Sequence, residues 1–151
     1  MTTMIPALPS AGGQQETKRT ILLVDDDVAI VKAWKRILEL AGYRVVTASN
    51  GNAGLVAASE EKPDLIVTDR SMPAMEGIEF CRQLKLDLEL ARIPVILASA
   101  HPVEPGDAAV WDEFWQKPVS LVVMVASVRR LLNASSSRAE DAQPVPRKTV
   151  P

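Results

Sequence analysis

A chain of 151 residues with 47% hydrophobic and 24% charged residues has the make-up of one globular domain, which sets aside disordered, fibrous and disulfide-rich classes. Formal net charge is −2 and no Lys/Arg run exceeds two residues, so the basic footprint of a nucleic-acid binder is missing and no direct nucleic-acid contact is expected. The single cysteine, Cys81, has no partner for an internal disulfide, and one Cys with one His gives no Cys/His metal spacing. Residues 1–15 lack the basic start and continuous apolar run of a signal peptide, and the apolar run Leu121 to Ala126 falls far short of the roughly 20 residues a spanning helix needs. No membrane insertion and a cytoplasmic location are expected.

In chain order, residues 1–19 carry Pro6, Pro9, Gly12 and Gly13 among small polar residues and read as a flexible tail. Thr20 to Val24 is a short β-type run. Ile30, Val31, Trp34, Ile37, Leu38 and Ala41 then recur at three- and four-residue spacing, the mark of an amphipathic helix. A second strand is expected at Tyr43 to Thr47 with a helix from Gly51 to Glu60. A third strand follows at Asp64 to Thr68, and after the Met72-Pro73 loop a helix at Gly77 to Leu86. Pro94 to Ala98 gives the fourth strand and Glu113 to Gln116 the fifth, with a final helix from Val119 to about Leu132. Residues 134–151 read as a second flexible tail, which leaves 20–133 as the domain.

Uniformly apolar strands alternating with helices argue for an α/β fold, a parallel sheet covered on both faces. The two common doubly wound orders both put ligands at the carboxyl ends of the strands, where the winding reverses. Asp25, Asp26 and Asp27 follow the first strand and Asp69 follows the third. In the flavodoxin-like order 2-1-3-4-5 those strands are neighbours, so the acids converge on one pocket. Converging carboxylates repel unless a cation sits among them, and Mg²⁺ suits a few carboxylates plus water or phosphate oxygens. The same three aspartates also suit the N-terminus of the first helix, where carboxylates cap free N–H groups and meet a favourable dipole. Ser99 follows the fourth strand, and Lys117-Pro118 follows the fifth. A carboxylate, a hydroxyl and an ammonium on one sheet edge suit phosphoryl transfer to Asp69, with Lys117 and a metal offsetting charge and Ser99 donating a hydrogen bond.

Four motifs in order carry a resemblance: Ile21-Leu-Leu-Val-Asp25-Asp26-Asp27, Asp64-Leu-Ile-Val-Thr-Asp69-Arg-Ser-Met-Pro73 with Gly77, Pro94-Val-Ile-Leu-Ala-Ser99-Ala100, and Phe114-Trp-Gln-Lys117-Pro118. Over about residues 18–133 the chain resembles the response regulator receiver domains of bacterial two-component systems. The resemblance implies a (βα)5 flavodoxin-like fold and a phosphorylation-dependent switch. Asp69 is implied as phosphoacceptor and metal ligand. Asp25, Asp26 and the Ser71 backbone carbonyl complete the implied site for Mg²⁺ or Mn²⁺. Lys117 matches the family lysine, Ser99 the switch hydroxyl and Phe114 the switch aromatic. Ser71 and His101 occupy positions that tune phosphoryl hydrolysis in receivers. A cis peptide before Pro118 is also implied, in keeping with the weak trans preference of X–Pro bonds. Asp27, the remaining acid, is read as the helix cap.

The implied phosphodonor is a sensor histidine kinase or a histidine phosphotransfer protein, and the chain itself is expected to be a monomer or weak dimer without an output domain. Ser99 and Lys117 stand eighteen positions apart, fewer than the family spends there, and Pro102, Pro105 and Gly106 leave only about Asp107 to Trp111 for a helix. The helix between strands four and five is therefore expected to be short or irregular, which alters the family's usual output surface. Trp111, Phe114 and Trp115 are half of the six aromatics, and read either as core or as an exposed partner patch. Two other functions compete. A dehalogenase-type aspartyl-phosphate phosphatase would use Asp25 and Asp27 as Asp-x-Asp, but needs its nucleophile on the first strand and a further acidic motif late in the chain. A receiver fold that is never phosphorylated would be free to lose the acids, hydroxyl and lysine that are all present.

Overall fold

The computed structural model of the protein describes residues 17–102 and 110–142. Five parallel strands, β1 (Thr20–Val24), β2 (Arg44–Ala48), β3 (Leu65–Asp69), β4 (Val95–Ser99) and β5 (Glu113–Gln116), form one sheet in the order β2-β1-β3-β4-β5. Four helices complete the described fold: α1 (Val28–Leu40), α2 (Gly51–Glu61), α3 (Gly77–Lys85) and α4 (Leu121–Ala142). The expected flavodoxin-like order is the one formed.

Alternation along each strand divides the core into two layers. Ile21, Leu23, Val67, Ile96 and Trp115 face Trp34 and Leu38 of α1 and Met124, Val128 and Leu132 of α4. Leu22, Val24, Ile66 and Leu97 face Ala58 of α2 and Phe80, Cys81 and Leu84 of α3. β1, β3 and β4 are buried throughout because helices cover both faces, and this is why their sequences are apolar without a polar alternate. Polar residues return on the edge strand β2 and on β5, where Glu113 accepts hydrogen bonds from Ser127 and Arg130 of α4.

Helix starts are set by local chemistry. Asp27 caps α1, its carboxylate accepting from the N–H groups of Ala29 at 3.0 Å and Ile30 at 3.2 Å. Asn50 caps α2 by accepting from Ala53 at 2.8 Å, and α2 ends at Lys62 in a left-handed conformation, φ 48°.

Several boundaries differ from the sequence expectation. β3 and β4 each begin and end one residue later than expected, so Asp69 and Ser99 are the last residues of their strands, held by the register pairs Asp69 with Ala98 and Ser99 with Gln116. β2 is displaced by one residue, in register with Thr20–Val24 of β1. α4 continues to Ala142, past the position where a tail was expected, since neither Pro nor Gly interrupts 121–142. The rest of the two expected tails, 1–16 and 143–151, lies outside the described residues. So do Asp107 to Ala109 of the expected short helix, whereas Val110 and Trp111 are described and are not helical. Among the described residues no helix is long and apolar enough to cross a membrane.

Candidate functional site

The carboxyl ends of β1, β3, β4 and β5 bring Asp25, Asp69, Ser99 and Lys117 to one edge of the sheet. Asp25 follows β1 directly and is only 2% exposed. Its backbone N–H donates to Ala48 of β2 at 3.1 Å, and its carboxylate accepts from the Asp27 N–H at 2.9 Å. The three consecutive acids thus divide their work: Asp27 caps α1, while Asp25 turns inward and Asp26 stays exposed.

Asp69 ends β3 at 8% exposure. Lys117 Nζ donates to Asp69 Oδ1 at 2.8 Å and to Asp25 Oδ2 at 3.3 Å, which ties β5 to β3 and β1. Carboxylate oxygens of Asp25, Asp26 and Asp69 all lie within 4.8 Å of one another, and among the described residues this is the one such grouping of acidic, His or Cys side chains. Burial holds the Asp69 carboxyl above the usual aspartate range. The Lys117 hydrogen bond opposes that shift and the charge of Asp25 reinforces it. For Lys117 burial is the largest influence and favours the neutral amine, but the hydrogen bond to Asp69 and the charges of Asp25 and Asp69 together outweigh it and raise its pKa.

Backbone architecture fixes the Asp69 end. The Gly77 N–H donates to the Arg70 carbonyl at 2.8 Å, and a Cβ on Gly77 would stand 2.2 Å from the Asp69 carbonyl oxygen. Only glycine allows α3 to start this close to the end of β3. Buried Met72 pins the intervening loop, while Ser71 is exposed on it. The peptide between Lys117 and Pro118 is cis, and the Lys117 N–H donates to the Ser99 carbonyl at 2.8 Å.

Ser99 is buried, and its hydroxyl oxygen accepts from the His101 backbone N–H at 3.0 Å. The His101 side chain is exposed. Phe114 is half-buried on the α3 side of β5, 6.5 Å from the Trp111 ring. Trp115 points to the opposite layer as core, with its indole N–H buried there. The aromatic trio is therefore split between the two faces of the sheet.

Two features escaped the sequence reading. Trp34 of α1 lies beneath Lys117, with Nζ 5.8 Å from the ring centroid, and nothing local marks that residue beyond its helical spacing. A cleft of about 420 Å³ also opens beside Asp25 and Asp26, lined by Lys32, Thr47 and Ser49 among others. Asp25 and Asp26 on its wall were read as site residues, but nothing local marks Thr47 and Ser49, either side of the end of β2, as lining it.

Three carboxylates form a hard-oxygen donor set suited to a divalent cation such as Mg²⁺ rather than to a soft metal. Cys81 adds nothing to it: it lies on the buried face of α3, where burial pushes its thiol up to about 12.

The sequence model of the response regulator receiver domain matches residues 21–129. The alkaline phosphatase synthesis transcriptional regulatory protein PhoP of Bacillus subtilis is 36% identical over 129 residues, which cover 83% of this chain and 53% of PhoP. The transcriptional regulatory protein KdpE of Mycobacterium tuberculosis is 34% identical over 130 residues, covering 83% of this chain and 56% of KdpE. The chain thus spans about half the length of the curated relatives it matches. Among solved structures, the signal receiver domain of a signal transduction histidine kinase from Syntrophus aciditrophicus superposes with a TM-score of 0.71 at 33% identity, covering 87% of this chain and 99% of that one. The chemotaxis response regulator CheY4 of Vibrio cholerae gives a TM-score of 0.70 at 27% identity, covering 76% and 99%. With the fold, the converging acids and the family match in agreement, this chain belongs to the response regulator receiver domain family of two-component signalling.

Proposed function

We propose that the chain is a phosphorylation switch in which Asp69 accepts a phosphoryl group from a phosphohistidine on a sensor histidine kinase or a histidine phosphotransfer protein. The observation that carries this reading is the Lys117 ammonium held between Asp69 and Asp25 at the sheet edge, with Ser99 on the adjacent strand end. Lys117 engages Oδ1 of Asp69, so the attack falls to the other carboxylate oxygen. A new bond forms between that oxygen and phosphorus, and the P–N bond to the donor imidazole breaks. Because phosphoryl transfer asks mainly for positioning and charge neutralisation, the residues present suffice without a strong general base. Asp25, Asp26, Asp69 and the Ser71 carbonyl would hold the divalent cation, Mg²⁺ or Mn²⁺, which supplies charge neutralisation to the phosphoryl oxygens when bound.

Lys117 then follows the transferred group, exchanging a carboxylate oxygen for a phosphoryl oxygen. Ser99 Oγ, which here accepts from His101, turns to donate to the phosphoryl group, and Phe114 responds beside it on β5. Ser71 and the exposed His101 flank the route of hydrolytic water. The phosphorylated and unphosphorylated forms constitute a two-state equilibrium that a partner reads. A cytoplasmic location agrees with this donor chemistry.

Acetyl phosphate with Mg²⁺ is expected to add one phosphoryl mass to the wild type and none to Asp69→Asn, read by intact-mass spectrometry. Equal labelling of the two proteins would remove Asp69 from the role. An unlabelled wild type would favour a receiver fold that serves only as an interaction module.

A further inference from the structure

Lys117 Nζ lies over the face of the Trp34 ring, 5.8 Å from its centroid, inside the roughly 6 Å within which a ring quadrupole attracts an ammonium. Trp34 is itself fixed in place. It is 8% exposed, and its ring meets Trp115 edge to face, centroids 5.7 Å apart and planes at 79°. Trp115 precedes Lys117 by two residues, so β5 supplies the clamp for the ring and the residue just past its end supplies the cation. α1, which carries Trp34, begins at the Asp27 cap beside Asp25 and Asp26.

A lysine ammonium is a point charge on a flexible four-carbon stem, and carboxylates alone do not set its direction. Asp69 and Asp25 take two of its hydrogen bonds. The Trp34 face covers it from the α1 side, where an aliphatic side chain would exclude water yet offer no attraction. We infer that Trp34 is a positioning residue for Lys117, its ring holding the ammonium at the Asp69–Asp25 pair and in line for the incoming phosphoryl oxygens, with Trp115 as its edge-on support. The consequence for phosphoryl transfer rests on Asp69 being the phosphoacceptor, whereas the Trp34–Lys117 contact does not.

Two measurements test this. In the unphosphorylated wild type, the Lys117 ε-methylene protons are expected upfield of those of the other lysines through the ring current of Trp34. Trp34→Phe retains an upfield shift and Trp34→Leu loses it. With acetyl phosphate and Mg²⁺, Trp34→Phe is expected to label within about threefold of the wild-type rate, because a ring is kept. Trp34→Leu is expected to label about tenfold more slowly, or about 1.4 kcal/mol, while still melting cooperatively. Lys117 protons at ordinary lysine positions in the wild type would overturn the inference, whether or not either variant folds. Equal slowing of the Phe and Leu variants, or a Leu variant at the wild-type rate, would overturn it too. A wild type that takes no label removes the phosphoacceptor reading, and the ring-current shift still decides whether Trp34 holds Lys117.

Discussion

At the scale of single residues, Asp69 is held in a state that costs the fold something. Burial raises its carboxyl above the ordinary value of 3.8, the Lys117 hydrogen bond opposes this, and Asp25 adds repulsion. A carboxyl whose folded pKa is raised binds its proton more tightly in the native state, so stability falls as pH rises from 3.8 through the folded pKa. The loss is complete once pH stands above the folded pKa. Asp69→Asn removes that charge and is expected to show a higher urea midpoint than the wild type at pH 7, with the gap closing as pH falls toward 4. Lys117, also raised, contributes stability that is full below 10.5 and lost only as pH climbs through its folded pKa, so it leaves the acid side of this comparison unchanged. A midpoint for Asp69→Asn that sits below the wild type at pH 7 would mean that the lysine contact outweighs burial.

Between elements, the site depends on how closely α3 and α2 approach the sheet. Phe80 is fully buried in the α3 layer, and a Cβ on Gly54 of α2 would stand 3.0 Å from its ring and 3.1 Å from Val24. Phe80 therefore fills the space that the missing side chain of Gly54 leaves. Phe80→Ala is expected to destabilise by roughly 3–5 kcal/mol, seen as a lower denaturant midpoint, because neighbours packed this closely collapse only partly into the cavity. The elements themselves were largely readable beforehand. Apolar runs located β1, β3 and β4, and the 3.6-residue spacing of Trp34 and Leu38 located α1. Their ends were not, since whether Asp69 closes β3 or opens the loop depends on pairing with Ala98, a partner from another part of the chain.

Over the whole molecule, cation binding and folding are linked, because a ligand that binds only the folded state raises its stability. Mg²⁺ at about 100 times its Kd is expected to stabilise the wild type by about 2.7 kcal/mol relative to EDTA. Asp26 is exposed and lies within the acid cluster, where its charge repels Asp69, so Asp26→Ala is expected to hold or raise the EDTA midpoint and to lose most of the Mg²⁺ increment. An unchanged increment would exclude Asp26 as a ligand.

The amino-acid sequence alone determined the βα alternation, the apolar strands and the placing of Asp25, Asp26, Asp69, Ser99 and Lys117 at successive strand ends. Each of these is written in local periodicity and in the residue that follows an apolar run. Tertiary structure decided what crosses the chain. Lys117 meets Asp69 across 48 residues and Asp25 across 92, the aromatic trio divides between two layers, and Trp34 comes to lie beneath the lysine. Side chains far apart in sequence become neighbours only once the strand order β2-β1-β3-β4-β5 is set, and that order follows from burying both faces of the whole sheet rather than from any one segment.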